Sequence, residues 1–214
     1  MVPIKKQEKY WDRVSNKKTF THPLNIPEFS KYVQKENKIL DYGCGYGRIL
    51  NELHNAGFSS LIGYDFSKKM VLCAKKEFPY LNILKCEDAT IPLEGNSLNA
   101  IILFAVLTCI PKNESQNRLM KEIKRTLKPG GIVYISDYLI NKDNRNTRRY
   151  NEFKDKFGTY GIFELPEGAI IRHYSEKRVS ELTKDFKKLW YKKFEVTTMN
   201  GNKSNAYQYI GKLK

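Results

Sequence analysis

The chain has 214 residues, of which 41% are hydrophobic, and it carries a formal net charge of +15. This length can bury a substantial core, and we expect residues 1–214 to form a single domain. No apolar run approaches the roughly 18 residues that cross a bilayer, and the N-terminus lacks the apolar segment of a signal peptide, so we expect a cytoplasmic protein.

The first predicted strand ends in an acid and leads into a glycine-rich turn. Ile39, Leu40 and Asp41 precede glycines at 43, 45 and 47. Glycines allow a tight turn and a close approach of the backbone to a ligand, and we expect a Cβ at any of them to fill ligand space. The nicotinamide and flavin fingerprint places its third glycine one position later. The spacing therefore favours a nucleoside-bearing cofactor without a pyrophosphate, and not NAD.

The second predicted strand also ends in an acid. Residues 61–65 finish at Asp65, roughly 20 residues beyond the first glycine, where folds of this kind place a ribose-binding carboxylate. Ser67 is a candidate N-cap, and the helix after it places Met70, Val71 and Ala74 on one face.

Strands and helices continue to alternate along the chain. We predict strands at 82–89, 100–106 and 132–137, and a helix at 113–127 that a turn at 128–131 ends. A last helix at 175–186 precedes two strand-like segments, 189–198 and 206–210, which we expect to pair in an antiparallel hairpin across a turn at 200–205. This order predicts an α/β fold with a mostly parallel sheet and right-handed crossovers.

These residues resemble the class I S-adenosylmethionine-dependent methyltransferases, and in particular the small-molecule branch related to the ubiquinone and menaquinone methyltransferases. The resemblance covers about residues 38–212, and its motifs are 41–47, Asp65, Asp88-Ala89 and 127–131. It implies a Rossmann-like, doubly wound, seven-stranded sheet with an antiparallel C-terminal hairpin strand. It also implies S-adenosyl-L-methionine as the cofactor.

The resemblance assigns roles to individual positions. Asp41 and the Gly43 backbone would hold the methionine amino group, and Asp65 would hold the ribose, so that Asp65→Ala should weaken cofactor binding and leave folding largely unaffected. Met70 could instead be core, and Asp88 could instead cap a turn. The full predicted cofactor set is Tyr10, Trp11, Asp41, Gly43, Cys44, Gly45, Asp65, Phe66, Met70, Asp88, Ala89 and Phe104, with Phe66 and Met70 on the adenine faces and Asp88 on the adenine amino group.

Two parts outside the common sheet are expected to select the acceptor. These are an N-terminal cap segment, residues 1–37, in which Tyr10 and Trp11 would close over the cofactor, and a substrate-covering insert, residues 138–174. Aromatic residues can line an apolar pocket, but the insert's own small core would use them equally well. The insert's aromatic residues considered for the pocket are Tyr138, Tyr150, Phe153, Phe157, Tyr160 and Phe163.

Methyl transfer from a sulfonium needs a base only if the acceptor must lose a proton. His173 and Tyr138 are the predicted catalytic residues, and Asp137 and Glu164 are further candidates near the expected mouth. The sequence leaves the acceptor atom open among O, N, S and C, and it leaves the oligomeric state open.

The positive charge raises the possibility of a nucleic-acid partner. Its densest cluster, residues 142–149, is short and interrupted, and no RNA-binding module is visible. The predicted fourth strand ends in Phe104-Ala105-Val106-Leu107, which differs from the Asn/Asp-Pro-Pro-Tyr of enzymes that methylate a base amino group. We therefore expect a small-molecule acceptor. An RNA-modifying methyltransferase and a non-catalytic S-adenosylmethionine-binding protein remain the alternatives.

The four cysteines carry no sign of metal or redox chemistry. Cys44, Cys73, Cys86 and Cys109 lack metal-ligand spacing, and Cys109 lacks the preceding proline of a cytosine C5 nucleophile. We expect reduced, structural thiols and no bound metal.

Overall fold

The computed structural model describes residues 4–15, 22–87 and 90–214. Its helices are α1 Ile4–Val14, α2 Ile26–Phe29, α3 Arg48–Asn55, α4 Lys68–Glu77, α5 Asn113–Thr126, α6 Asn144–Phe157 and α7 Glu176–Leu182, with a 3₁₀ turn at Leu107–Cys109. Its strands are β1 Ile39–Tyr42, β2 Leu61–Asp65, β3 Asn82–Lys85, β4 Leu98–Phe104, β5 Leu127–Tyr138, β6 Ile162–Glu164, β7 Ile170–Arg172, β8 Phe186–Thr197 and β9 Lys203–Leu213.

Seven strands form one sheet in the order β3-β2-β1-β4-β5-β9-β8. The pairs from β3 to β5 are parallel, whereas β9 runs antiparallel to both β5 and β8. This confirms the predicted mostly parallel sheet with its antiparallel C-terminal hairpin. The strand order reverses between β1 and β4, and the crevice beyond the carboxyl ends of the strands at such a point is where open α/β sheets bind ligands.

The central strands are buried because helices cover both faces of the sheet. β1 is buried at every position, and β4 at five of its seven positions. This explains why both strands are nearly continuous apolar runs, as expected of parallel strands at the centre of a sheet. Among the described residues, no helix has the length and apolar character needed to cross a membrane.

Several element boundaries differ from the predictions. β3 ends at Lys85, and β4 occupies Leu98–Phe104, ending before Ala105, whose φ of +53° lies in the left-handed region. α5 ends at Thr126, and the predicted turn at 128–131 lies inside the bounds of β5. Leu98 of β4 pairs with Leu127, and Ala100 pairs with Ile132. Residues 128–131 therefore form an irregularity within β5.

The C-terminal hairpin is longer than its sequence pattern indicated. α7 ends at Leu182, and Phe186, which fits the helical spacing, is the first residue of β8. β9 starts at Lys203, which confines the connection to residues 198–202. The prediction failed because an apolar residue four positions beyond Leu182 suits a helix face and a buried strand start equally well.

The insert has secondary structure of its own. Asp143 caps α6 by accepting a hydrogen bond from the Asn146 N–H (3.1 Å), and β6 and β7 form a two-stranded antiparallel sheet. Gly161 precedes β6 with a φ of +96°, and a Cβ there would lie 2.6 Å from the His173 carbonyl oxygen. Glycine at 161 therefore allows the close approach that places His173 beside the start of β6.

Candidate active site

A cavity of about 280 Å³ opens at the carboxyl ends of the parallel strands β1, β2, β4 and β5. Its wall contains every described residue of the predicted cofactor set and both predicted catalytic residues; Asp88 and Ala89 lie outside the described residues. The predicted residues in the wall are Tyr10, Trp11, Asp41, Gly43, Cys44, Gly45, Asp65, Phe66, Met70, Phe104, Tyr138 and His173.

The glycine-rich turn contributes to the cavity, but two of its glycines are required by neighbouring side chains. Gly43, Gly45 and Gly47 all have left-handed φ values. A Cβ at Gly43 would lie 2.6 Å from Val106 Cγ2, and one at Gly47 would lie 2.8 Å from Ile83 Cδ1. The expectation that a Cβ at any of the three would fill ligand space is therefore wrong for Gly43 and Gly47, where protein atoms occupy that position.

Asp65 links the glycine-rich turn to the start of α4. Its Oδ2 accepts a hydrogen bond from the Gly45 N–H and its Oδ1 accepts one from the Ser67 N–H, both at 2.8 Å. Burial raises the pKa of Asp65 to about 6, although these two hydrogen bonds act in the opposite direction. Because both oxygens already have backbone donors, we now expect removal of this carboxylate to destabilise the fold, in place of the small effect expected from the sequence.

Asp41 is buried at the end of β1 with one oxygen unsatisfied. The residue is 1% exposed, and its Oδ2 has no hydrogen-bond partner. Burial raises the pKa of Asp41 to about 7, whereas the nearby Arg48 lowers it. An unsatisfied buried carboxylate is costly, and a ligand cation in the cavity would remove that cost.

Two further residues near Asp41 were given no role by the sequence patterns. His22 shares a hydrogen bond of 3.1 Å between Nδ1 and Ser136 Oγ, and Arg48 donates from Nη2 to the His22 carbonyl oxygen at 2.6 Å. His22 Nε2 and Arg48 Nε are both buried without a partner, and burial lowers the pKa of His22 to about 4. The only sequence signal for a role of Arg48 is its position directly after the glycine motif. His22 has no such signal, because its partner Ser136 lies 114 residues away in the sequence.

Together, these groups suit an amino-acid-like zwitterion. Asp41 offers an unsatisfied carboxyl oxygen, and Arg48, whose Nη1 pairs with Glu52 at 2.5 Å, offers an unsatisfied N–H at Nε. The methionine part of S-adenosylmethionine carries an ammonium and a carboxylate, so the described residues at this end of the cavity fit that cofactor.

Helix α1 covers the cavity from the N-terminal side. Gln7 donates from Nε2 to the carbonyl oxygens of Cys109 (3.0 Å) and Ile170 (2.7 Å), and Asp12 accepts hydrogen bonds from Ser67 Oγ and the Lys69 N–H. These bonds hold Tyr10 and Trp11 over the cavity, where their rings meet edge to face at 5.0 Å. Residues 1–3 and 16–21 of the predicted cap segment lie outside the described residues.

A row of aromatic rings forms the opposite wall. The His173 ring stacks on Tyr138 at 5.2 Å between centroids and meets the edge of Phe163 at 5.1 Å. His173 Nδ1 lies 2.6 Å from the Tyr150 hydroxyl. Burial holds the pKa of His173 well below its usual value and raises that of Tyr138, so both side chains are uncharged near neutral pH.

The other two candidate bases lie outside the cavity wall. Asp137 accepts hydrogen bonds from the Thr108 N–H (2.9 Å) and the Tyr138 N–H (2.8 Å), and it is fully buried. Glu164 pairs with Lys156 at 2.8 Å. Asp137 therefore anchors the 3₁₀ turn to β5, and neither acid is placed to accept a proton from a ligand in the cavity.

The aromatic residues of the insert divide between the cavity and a small local core. Tyr138 and Phe163 line the cavity. Phe153 and Phe157 stack on each other at 6.0 Å, and Tyr150 is fully buried against Phe163 and His173. The insert therefore uses most of these rings to hold itself together.

The basic cluster at 142–149 is not only a surface feature. Arg145 and Arg149 line the cavity, whereas the exposed Arg148 between them does not. Two of the three arginines of this cluster therefore belong to the cavity wall.

The four cysteines form no disulfide, and three of them line the cavity. Cys44, Cys86 and Cys109 face it, and burial raises the pKa of each thiol. Raised thiol pKa values disfavour the reactive thiolate. Within residues 4–15, 22–87 and 90–214, no group of three or more His, Cys, Asp and Glu side chains could hold a metal ion.

Comparison with known proteins adds independent information. Residues 40–135 match a family model described as a methyltransferase domain. The chain is 35% identical over 112 residues to a tRNA N(3)-cytidine methyltransferase from Bos taurus, which covers 47% of this chain and 29% of that protein. It is 31% identical over 108 residues to a demethylmenaquinone methyltransferase from Chlorobaculum tepidum, which covers 50% and 43% respectively.

A solved structure is similar over most of this chain. It is a SAM-dependent methyltransferase from Methanosarcina mazei, with a TM-score of 0.81 and 26% identity over 87% of this chain and 97% of that one. The family model covers less than half of this chain, and these similarities imply S-adenosylmethionine as the cofactor. The aligned part spans less than half of either the tRNA or the quinone relative, and the quinone branch is one of several kinds of relative.

Asp65→Ala should lower the free energy of unfolding by about 2 to 4 kcal/mol, because two buried N–H groups would lose their acceptor. Urea denaturation of the ligand-free protein measures this change. Asp155→Ala, which removes an exposed acid of α6, is the matched control and should stay within about 0.5 kcal/mol of the parent. Equal stabilities of the two variants would contradict the linking role of Asp65.

Asp41→Asn should change how stability depends on pH. Burial raises the Asp41 pKa from 3.8 to about 7, so the folded protein binds the extra proton in this interval and loses stability as pH rises through it. Relative to Asp41→Asn, the parent should therefore lose stability between about pH 4 and 7 and change little above that. Asp65 and Asp137, with pKa values of about 6 and 7, are present in both proteins. Parallel urea-derived stability curves would refute the prediction.

Proposed function

We propose that this protein transfers a methyl group from S-adenosylmethionine to a small-molecule acceptor bound in the same cavity. The observation that carries the proposal is the continuity of that cavity. Its wall runs from Asp41 and Arg48 at the carboxyl end of the central strands to Tyr138, Phe163 and His173 of the insert. Donor and acceptor can therefore lie side by side under α1.

The residues at the strand ends would hold the cofactor. Asp41 would pair with the methionine ammonium, and Arg48 and His22 would lie nearest its carboxylate. The Gly43 N–H already donates to the Tyr64 carbonyl oxygen at 2.7 Å, so Gly43 would contribute its carbonyl oxygen. Asp65 retains lone pairs for the ribose hydroxyls, and Phe66 and Met70 would lie against the adenine, with Asp88 and Ala89 at its edge.

The protein's contribution to the reaction is chiefly alignment and exclusion of water. When bound, the cofactor supplies a methyl group already activated on a sulfonium. Holding a nucleophile in line with that group can provide up to about 7 to 11 kcal/mol of the barrier reduction. Tyr10 and Trp11 of α1 exclude solvent from one side, and Tyr138 and Phe163 do so from the other.

Tyr138 and His173 would orient the acceptor. With Nδ1 of His173 bonded to the Tyr150 hydroxyl, Nε2 is the nitrogen left for an acceptor's hydroxyl or amine. A histidine with a lowered pKa is a weak base, so it suits an acceptor that is already nucleophilic or one that needs only a hydrogen bond.

RNA methylation is the second candidate. The net charge of +15 and the similarity to a tRNA methyltransferase favour it. The cover that α1 and the insert form over the cavity favours a small acceptor, because a polynucleotide needs an open, basic track to its target base. A non-catalytic cofactor-binding protein would have no need for the aromatic acceptor end.

Calorimetry should show binding of S-adenosylmethionine and its demethylated product, S-adenosylhomocysteine, and no binding of NAD. Asp41→Asn should weaken both interactions about tenfold or more, because a charged hydrogen bond contributes about 1.5 to 3 kcal/mol. Asp155→Ala is again the control and should bind as the parent does. Micromolar NAD binding with none for S-adenosylmethionine would overturn the cofactor assignment.

The class of acceptor can be tested with methyl-labelled S-adenosylmethionine and a cell extract separated into RNA and protein-free small-molecule fractions. Label should enter the small-molecule fraction, and Tyr138→Ala should lower its incorporation tenfold or more, because it removes part of the cavity wall. Tyr160→Ala, which removes a 43% exposed ring of the same insert, should change incorporation less than threefold. Label confined to nuclease-sensitive material would instead identify an RNA methyltransferase.

A further inference from the structure

The three arginines of α6 have different surroundings. Arg145 and Arg149 line the cavity and Arg148 does not; Arg149 is half-buried, whereas Arg145 and Arg148 are exposed. Arg149 lies four positions after Arg145, so both lie on the same face of the helix. α6 thus directs two positive charges toward the acceptor end of the cavity.

Arg149 is partly buried without an anionic partner. Its guanidinium carbon lies 3.6 Å from the centroid of the Phe163 ring, Nη2 donates to Asn146 Oδ1, and Nε is buried with no hydrogen-bond partner. Among the described residues Arg149 forms no ion pair. Arg145 contacts the exposed Asp143 at 4.0 Å and donates from Nη2 to the Lys203 carbonyl oxygen at 3.4 Å. Burying a guanidinium without a carboxylate is costly, and an anionic ligand would offset that cost.

The aromatic wall connects this charge to the cofactor end. From Phe163 it continues through His173 and Tyr138 to His22, with successive ring centroids 5.1, 5.2 and 4.6 Å apart. The acidic residues in the wall are Asp41 and Asp65, both at the carboxyl ends of β1 and β2. No acid in the described part of the wall therefore offsets the arginines at the insert end.

We propose that the methyl acceptor is a small molecule with an apolar or aromatic body and an oxyanion, either a carboxylate or a phosphate, and that Arg149 binds this oxyanion. The inference rests on the proposed function, because it identifies the insert end of the cavity with the acceptor. The planar guanidinium can donate two parallel hydrogen bonds to an oxyanion while its face stays against Phe163. Arg145 adds positive potential at the same end.

The test uses three probes of similar shape on the full chain saturated with S-adenosylhomocysteine: benzoate, phenyl phosphate and neutral benzyl alcohol. Ligand-observed NMR titrations measure their affinities for the parent, Arg149→Gln and Arg148→Gln. The last variant removes the same charge from an adjacent position outside the cavity wall. Thermal midpoints check folding, and Arg149→Lys, which keeps the charge, is the substitute if Arg149→Gln does not fold.

The parent should bind at least one of the two anions tenfold or more tightly than benzyl alcohol. Arg149→Gln should abolish that preference, whereas Arg148→Gln should keep it to within threefold. Arg149→Lys should weaken the preferred anion at least threefold, because one point charge replaces two parallel donors. The anion that the parent prefers distinguishes a carboxylate acceptor from a phosphate acceptor.

Equal binding of all three probes by the parent would overturn the proposal, and so would equal losses in Arg148→Gln and Arg149→Gln. Both variants could instead bind a polyuridylate oligomer more weakly than the parent, and by the same factor, while the parent shows no preference among the small probes. That result would show that the arginines bind a polyanion at the surface. The probes are also titrated into the ligand-free protein, so that a failure of this inference can be told apart from a failure of the proposed function. Failure to bind S-adenosylhomocysteine would count against the function, whereas loss of the anion preference would count against the role of Arg149.

Discussion

The cofactor end of the cavity depends on the two backbone hydrogen bonds that Asp65 accepts. One comes from Gly45 in the glycine-rich turn and the other from Ser67, the N-cap of α4. Ser67 also donates from its hydroxyl to Asp12 of α1. A single buried carboxylate therefore ties the turn after β1 to the helix after β2, and that helix start in turn holds the cover. The shape of the cavity and its solvent exclusion follow from these contacts.

The two ends of the cavity each contain an ionisable group with an unsatisfied polar atom, an acid at one end and a base at the other. At the strand ends, the buried Asp41 has an unsatisfied oxygen that needs a cation, and its pKa is raised to about 7. At the insert end, Arg149 is a partly buried cation with an unsatisfied N–H. Each group is unfavourable without a partner, and each becomes favourable beside a ligand of opposite charge. Stability and recognition are thus in tension at both ends.

The sheet could be predicted because buried parallel strands such as β4 are nearly continuous apolar runs, and the glycine and acid positions mark the strand ends. Contacts between residues far apart in sequence could not be predicted. His22 reaches its site by bonding to Ser136 across 114 residues, and no local pattern reports such a contact. The place of Arg149 in the cavity wall was not predicted either, because it depends on which face of α6 turns inward, and the buried position of Tyr150 against Phe163 and His173 sets that face.

The insert is fixed to the sheet at both ends, which suits the acceptor-selecting role proposed for it. The Ile140 N–H donates to the Tyr174 carbonyl oxygen, and the Asn141 side chain bonds to Ser204 Oγ and to the Asn205 N–H. These bonds hold the insert against β9, so His173 and α6 keep a defined position relative to the strand ends. A pre-positioned wall loses little entropy when an acceptor binds. Changes within α6 could therefore alter the acceptor while leaving the Asp41 and Asp65 contacts intact.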